Sequence, residues 1–572
     1  MRPARLVCCA ALTLLAVSLA SAQDKPAAEK APLKQIGGLR FVDVSEITIV
    51  NVDVSVRDKQ GPVRGLKQED FEVFQDGKPQ VITNFALYTS PAGPVQSGPA
   101  AALPTPTPTL PAGTPIEPPP PREPRFIALY LDNENIMPFN RNRILNDVID
   151  FIGKRLSPPD QAMVVSYQRS IKILQSFTSD PEDIASALRR TKRFVGGRPD
   201  LISSRKRVED YIAQNYENSQ TIGQALEDVQ GFAKEQRNNL TFSVRAIQEL
   251  VTMMSGLPGR KSIIYISDGL PMSPGLELYY ELGDRYRIPS IVTQARDYDS
   301  TDLFRGLVTT ASAAGVRLYT IDARGLESDL GIEAENRTAR SSLSAGIGTS
   351  NFQDSLVYMA DQTGGLAILN ANSATPGLDK IGEDIETYYS LGYRLVPAGE
   401  DRMHRIEVKI KGKNSYRMNF SRTFIEKSLP TRVGDRVISG LAFDLVDNPL
   451  GIEVTTGEPA PASAERWTLP VEIQVPMEKI ALIPDGDNLV GWLMVYYAAR
   501  DAEGQQSDLQ RTEYPINIPA SSYDEQKKQH ISISASLLLD PGTYRISVAV
   551  RDQLTNQAGY ATMRQPVHPE LK

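Results

Sequence analysis

The chain has 572 residues, with 62 Lys and Arg against 69 Asp and Glu, a formal charge of −7, and only 2 cysteines and 3 histidines. That length implies roughly three to five domains, each able to bury its own core without metal or disulfide staples. An apolar fraction of 41% with 23% charged residues excludes wholesale disorder, and the acidic balance argues against a nucleic-acid partner.

Residues 1–22 read as a secretory signal peptide. Arg2 and Arg5 precede an apolar run from Leu6 to Leu19, and Ala20-Ser21-Ala22 is a small-x-small site before the polar Gln23. The run is shorter than the roughly 20 residues of a membrane span. Removing it shifts the charge from −7 to about −9 and takes away both cysteines, Cys8 and Cys9. The exported chain therefore has no thiol chemistry, and no other apolar run is long enough to span a membrane.

Residues 36–90 predict a small β-sandwich-like domain. Val50, Val52, Val54 and Val56 alternate with polar residues, and Asp76-Gly77 is a hairpin turn between Phe71–Phe74 and Val81–Leu87. Residues 91–124 hold 13 of the 41 prolines and read as an extended linker. Residues 125–396 alternate strands with helices, beginning with the apolar run Phe126 to Leu131, and predict an open α/β sheet. The stretch 200–238 reads as polar helices, apart from an amphipathic helix marked by Ile247, Leu250, Val251 and Met254. Residues 397–425 return to β alternation as an extension of this unit, giving a domain over 125–425. Residues 430–572 show only strand patterns and predict an antiparallel, immunoglobulin-like β-sandwich.

His404, His530 and His568 all lie in the last third of the chain, and no HExxH, GxSxG, CxxC or P-loop pattern occurs. Histidine-assisted nucleophilic catalysis in the α/β unit is therefore not expected. Open sheets place their sites at the carboxyl ends of strands. Two acidic loops fall there: Asp132-Asn133-Glu134-Asn135 and Asp268-Gly269. Clustered oxygens at such an edge suit Mg²⁺ or Ca²⁺. The alternative is that the carboxylates only bond their own loops or cap the next helix.

Several motifs carry a family resemblance. They are the strand ending in Asp132, Asp160 to Tyr167, Gly259-Arg260-Lys261 running into Ser267-Asp268-Gly269, and Gly315 to Asp322. Residues 125–396 resemble a von Willebrand factor type A domain. The flanks, including Asp70-Phe71-Glu72-Val73 and Tyr389-Ser390-Leu391-Gly392-Tyr393, resemble the exported VWFA-related acidobacterial subfamily. The resemblance implies a Rossmann-like sheet and a metal-ion-dependent adhesion site. This sequence keeps Asp132 and Asp268 of that motif but has Glu134 and Ile136 at its serine positions and Arg198 after Gly196-Gly197. The implied metal set is thus a degenerate Asp132, Glu134 and Asp268, and the implied partner-binding edge is Asn133, Asn135, Arg198 and Gly269.

The expected function is an exported, non-catalytic adhesion or protein-binding role with an unidentified protein partner; the 200–238 segment reads first as a solvated helical excursion and alternatively as an insertion that sets specificity. A scaffold in envelope or secretion assembly is the alternative, and a hydrolase using Glu134 and Asp268 a minor one.

Overall fold

Four strands open the fold: β1 (Thr48–Arg57), β2 (Phe71–Gln75), β3 (Lys78–Gln80) and β4 (Ile82–Tyr88). Asp76 and Gly77 both take positive φ in the β2–β3 turn, as the sequence anticipates. The computed structural model describes residues 48–89, 124–326, 342–395, 401–412, 415–445, 447–463 and 466–567. The signal segment 1–22 with Cys8 and Cys9, the linker up to residue 123, and His568 lie outside the described residues.

After the linker the chain alternates. The elements are β5 (Arg125–Asp132), α1 (Pro138–Arg155), β6 (Gln161–Gln168), β7 (Ser170–Thr178), α2 (Pro181–Thr191), α3 (Arg198–Asn215), α4 (Ile222–Met254), β8 (Arg260–Ser267) and α5 (Leu276–Arg285). They continue with α6 (Thr301–Ala314), β9 (Val316–Asp322), α7 (Ser342–Thr363), β10 (Ala367–Ile368) and α8 (Thr375–Glu386). The six strands form one sheet in the order β10-β9-β8-β5-β6-β7, parallel except for the antiparallel edge strand β7. One face packs under α4, α6 and α7 through residues such as Leu250, Phe304 and Leu356; the other packs under α1, α2 and α8 through Val148, Leu188 and Ile381. β5 is buried along its whole length, which explains its unbroken apolar run.

Residues 222–254 form a single 33-residue helix, where the sequence suggests a polar excursion followed by a separate amphipathic helix. Ala225, Val229, Phe232, Ala233 and Leu240 extend the stripe of Ile247, Val251 and Met254. The first half of α4 packs with α3 and α5, and the second half covers the sheet.

The chain then returns to the opening strands through β11 (Tyr388–Leu395), β12 (Arg402–Ile410), β13 (Arg417–Asn419) and β14 (Thr423–Glu426). The result is two four-stranded sheets, β13-β1-β11-β4 and β14-β12-β2-β3. The expected boundaries need correction: 36–90 is not a self-contained domain, and 397–425 is not an extension of the α/β unit. Each supplies strands to one sandwich, into which the α/β unit is inserted. The valines of β1 bury against Tyr389, Leu391 and Tyr393 of β11, and among the four opening strands only β2 and β3 pair with each other, a two-stranded hairpin that does not stand alone. Tyr88 and Tyr388 stack at 4.8 Å where the chain leaves and returns.

Asp384 of α8, 1% exposed, joins the two units. Its carboxylate accepts from Tyr319 Oη at 2.7 Å and Asn419 Nδ2 at 3.0 Å, and Arg317 lies at 3.6 Å. Ser55 of β1 donates to its carbonyl at 3.1 Å. Arg260 reinforces the joint by pairing with Asp53 at 3.1 Å and lying over the Tyr388 ring at 3.7 Å.

The sequence suggests no helix beyond residue 430, yet α9 (Leu429–Gly440) precedes the C-terminal strands, capped by Ser428. Val433, Val437 and Leu441 pack on Tyr496, Ala498 and Ala549. The other side of α9 meets the end of α4, where a Cβ on Gly256 would lie 2.4 Å from Arg436 Cα. Two antiparallel sheets follow, centred on Trp467–Pro476 and Asn488–Arg500, with Leu469, Ile473, Leu493 and Ile546 between them. Among the described residues no helix is long and apolar enough to cross a membrane.

Replacing Asp384 with Ala strands Arg317 and the Tyr319 hydroxyl in a buried joint. We expect a loss of about 3–5 kcal/mol. Urea unfolding followed by far-ultraviolet circular dichroism checks this; a loss below about 1 kcal/mol contradicts the joint's importance.

Candidate functional site

Parallel strands deliver their carboxyl ends to one edge, and here β5, β8 and β9 end in Asp132, Asp268 just past β8, and Asp322. All three are at most 2% exposed. Each is engaged by groups of the chain itself.

Asp132 accepts from Asn135 N at 3.1 Å, from Asn135 Nδ2 at 3.0–3.1 Å on both oxygens, and from the Tyr265 hydroxyl. Burial pushes its carboxyl up to about 6, against the opposing effect of the Tyr265 and Asn135 hydrogen bonds. Asp268 accepts from Met137 N at 2.9 Å and Asn140 Nδ2 at 3.1 Å, so it caps the start of α1 from across the edge. Burial raises its carboxyl above the usual range, and Arg198 is the main opposing influence. Asp322 is bound by Arg324 Nη2 at 2.8 Å and Gln353 Nε2 at 2.9 Å.

Glu134 points elsewhere. Its carboxyl lies against Gly197, where an added Cβ would be 2.6 Å from Glu134 Oε1. It is half-buried at the N-terminus of α3, with its carboxyl raised by burial and held down by Arg169. Ile136 is fully buried in the core beneath the edge.

The implied metal set of Asp132, Glu134 and Asp268 therefore does not converge. Among the described residues no group of three or more His, Cys, Asp or Glu side chains is arranged to hold a metal ion. Asp132 has spent both oxygens on Asn135 and Tyr265, and the guanidinium of Arg198 stands beside Asp268. This donor set does not fit Mg²⁺ or Ca²⁺.

The expected partner-binding residues are also corrected. Asn133 (1% exposed) accepts from the fully buried Arg141 and donates to Val195 O at 2.9 Å, fixing the α2–α3 loop to the edge. Asn135 is buried on Asp132 and Ser243. Gly269 has φ +88 and packs on α7, where a Cβ would meet Phe352 O at 2.5 Å. Arg198 is 6% exposed, with Phe352 beneath it at 4.5 Å. None of the four presents its side chain outward.

Three exposed apolar side chains at this edge escape a motif-based reading: Phe139 and Val195, each 76% exposed, and Phe242 at 59%. The segments of the first two touch, since a Cβ on Gly196 would lie 3.5 Å from Pro138 Cδ. Phe242 borders a groove of about 500 Å³ with Glu134, Arg169, Asp200 and Glu235. An exposed Phe directly after the helix-starting Pro138 was the available signal. His404, by contrast, is a structural residue of the first sandwich, bonded to Gln75 and Asp76 and stacked on Phe424.

No family model and no curated protein matches the chain. Among solved structures it is similar to BatB of Bacteroides thetaiotaomicron, at 11% identity over 46% of this chain and 96% of that one, with a TM-score of 0.22. An aerotolerance-related membrane protein of Bacteroides fragilis matches at 13% identity over 46% and 98%, TM-score 0.23. Proximal thread matrix protein 1 of the mussel byssus matches at 11% identity over 48% and 49%, TM-score 0.21. Likeness at this level defines neither family nor function. The class is set by the chain's own topology: a multidomain protein of mixed α/β content with several antiparallel sheets.

The raised carboxyl of Asp132 has a pH signature. Its folded value of about 6 exceeds the ordinary 3.8, so its contribution is fully present below 3.8 and is lost as pH rises through about 6. Relative to Asp132→Asn, the wild type should lose about 3 kcal/mol of stability between about pH 4 and pH 7. Paired urea melts across that range test this; a pH-independent difference contradicts it.

Proposed function

We propose that the protein is an exported, non-catalytic binding protein whose central unit is a Rossmann-like, von Willebrand A-type domain, and that it engages a protein partner at the loop edge without a metal ion. The exposed Phe139 and Val195 at the edge, with the exposed Phe242 on the rim of the groove, carry this reading. Exposed aromatic and aliphatic side chains rimmed by polar groups are the usual anchors of a protein interface. Glu134, Asp200 and Glu235 outnumber Arg169 in the groove, so a partner segment with basic and apolar residues is the complement. The α3 helix and first half of α4 wall this groove, which gives the polar 200–238 segment its role in specificity. Among the described residues no histidine or cysteine lies at the edge, and each strand-end aspartate already holds a structural partner, which supports a non-catalytic role. A scaffold role in envelope assembly would use the same surface and would show as a stoichiometric complex.

Capture from an envelope extract by the full exported chain tests the reading. Phe139→Asp with Val195→Asp should weaken capture of the retained partner at least about tenfold, at about 1.4 kcal/mol per decade. EDTA should leave wild-type capture unchanged. Capture that ignores the double variant, or that EDTA abolishes and Mg²⁺ restores, overturns it.

A further inference from the structure

Beneath the edge lies a separate cavity of about 130 Å³, enclosed by α1, α3, α5 and α7. Its walls carry an unusual density of charge, and most of that charge is paired. Arg205 sits 3.5 Å from Glu209, Arg285 is 2.8 Å from Glu281, Arg324 is 2.8 Å from Asp322, and Asp268 holds the start of α1. Two groups on the wall keep polar atoms without a hydrogen-bond partner, although the Arg198 guanidinium lies within the fields of Asp268 and Glu277. Both carboxylate oxygens of Glu277 are buried without a hydrogen-bond partner, and the residue is 4% exposed. Arg198 Nη1 is likewise buried without a partner, on a residue 6% exposed. Native structures leave few such groups, because an unsatisfied buried charge is costly. Here the two are complementary: one accepts only, the other donates only.

From this pair we infer that the cavity is a binding site for a small zwitterion of the α-amino acid class, its ammonium on Glu277 and its carboxylate on Arg198. A bare metal cation or organic ammonium would face the Arg198 guanidinium. A bare carboxylate or phosphate would face Glu277. A molecule bearing both charges on adjacent carbons meets neither penalty. The volume agrees, since about 30 Å³ per water gives room for about four waters, and a cavity of about 150 Å³ accepts a six-carbon ring. Glycine, alanine and serine are of that size; tryptophan is not. The Phe352 ring, 4.5 Å from the Arg198 guanidinium, holds it in place. Glu277 and Glu281 are one helical turn apart on the buried side of α5 among Leu278, Tyr279 and Leu282. This site is distinct from the apolar partner surface and stands or falls without it.

Calorimetric titration and thermal melting of the full exported chain with glycine, alanine, serine, tryptophan, acetate and methylammonium test the proposal. The expected result is saturable one-to-one binding of a small amino acid with a raised melting temperature, and no response to acetate, methylammonium or tryptophan. Glu277→Gln should weaken binding at least tenfold, while its ligand-free melting temperature stays level or rises because a buried carboxylate without hydrogen-bond donors is removed. Arg198→Lys, which keeps the charge but loses the planar fork that grips a carboxylate bidentately, should also weaken binding. No response of the wild type to any small amino acid at millimolar concentration overturns the site. So does an equal response to acetate or methylammonium, or unchanged affinity in both variants.

Discussion

The buried carboxylate of Asp384 is the constraint on which the architecture turns. It sits on the last helix of the inserted α/β unit and gathers Tyr319, Arg317 and Asn419, while its carbonyl takes the Ser55 hydroxyl. Those residues come from the sheet, from the returning sandwich strands and from the first strand. A chain that departs at Tyr88 and returns at Tyr388 needs such a joint to keep the inserted unit and the sandwich in one arrangement. With Arg260 on Asp53, it covers the N-terminal side of β8 and β9 with the sandwich. The carboxyl edge is thereby turned away from the joint, and the binding surfaces proposed for this protein lie there.

At that edge the same economy recurs. Three strands end in or beside buried aspartates, and each is satisfied by an amide, a hydroxyl or a guanidinium from a neighbouring strand, helix or loop. A hard cation needs carboxylates whose oxygens are free to converge. Here Asn135, Tyr265, Asn140 and Arg324 occupy them, and Arg198 brings a fixed positive charge beside Asp268. The edge is organised by internal donors, which makes it rigid and leaves recognition to the surface around it.

The sequence disclosed the α/β unit well, because fully buried parallel strands such as β5 are unbroken apolar runs. It disclosed the sandwich poorly. The valines of β1 declare a half-buried strand, but nothing local says that their partner is Tyr389 to Tyr393 of β11; that pairing is a long-range fact of topology. Val433, Val437 and Leu441 of the α9 segment fall at helical spacing, but a short helix between β-rich stretches is easily absorbed into them. The strand-end aspartates were legible, their occupation was not, since Tyr265 reaches Asp132 from an adjacent strand. Glu277 and Glu281 are charges on the apolar side of a helix, a pattern that marks either a paired network or a site.

The loop edge is organised by the protein's own donors in place of a metal. Calorimetric titration of the metal-stripped protein with Mg²⁺, Ca²⁺ and Mn²⁺ is the decisive test. The account predicts no saturable binding at submillimolar concentrations and no shift in melting temperature. One-to-one binding of any of these ions that is lost in Asp268→Asn would contradict it.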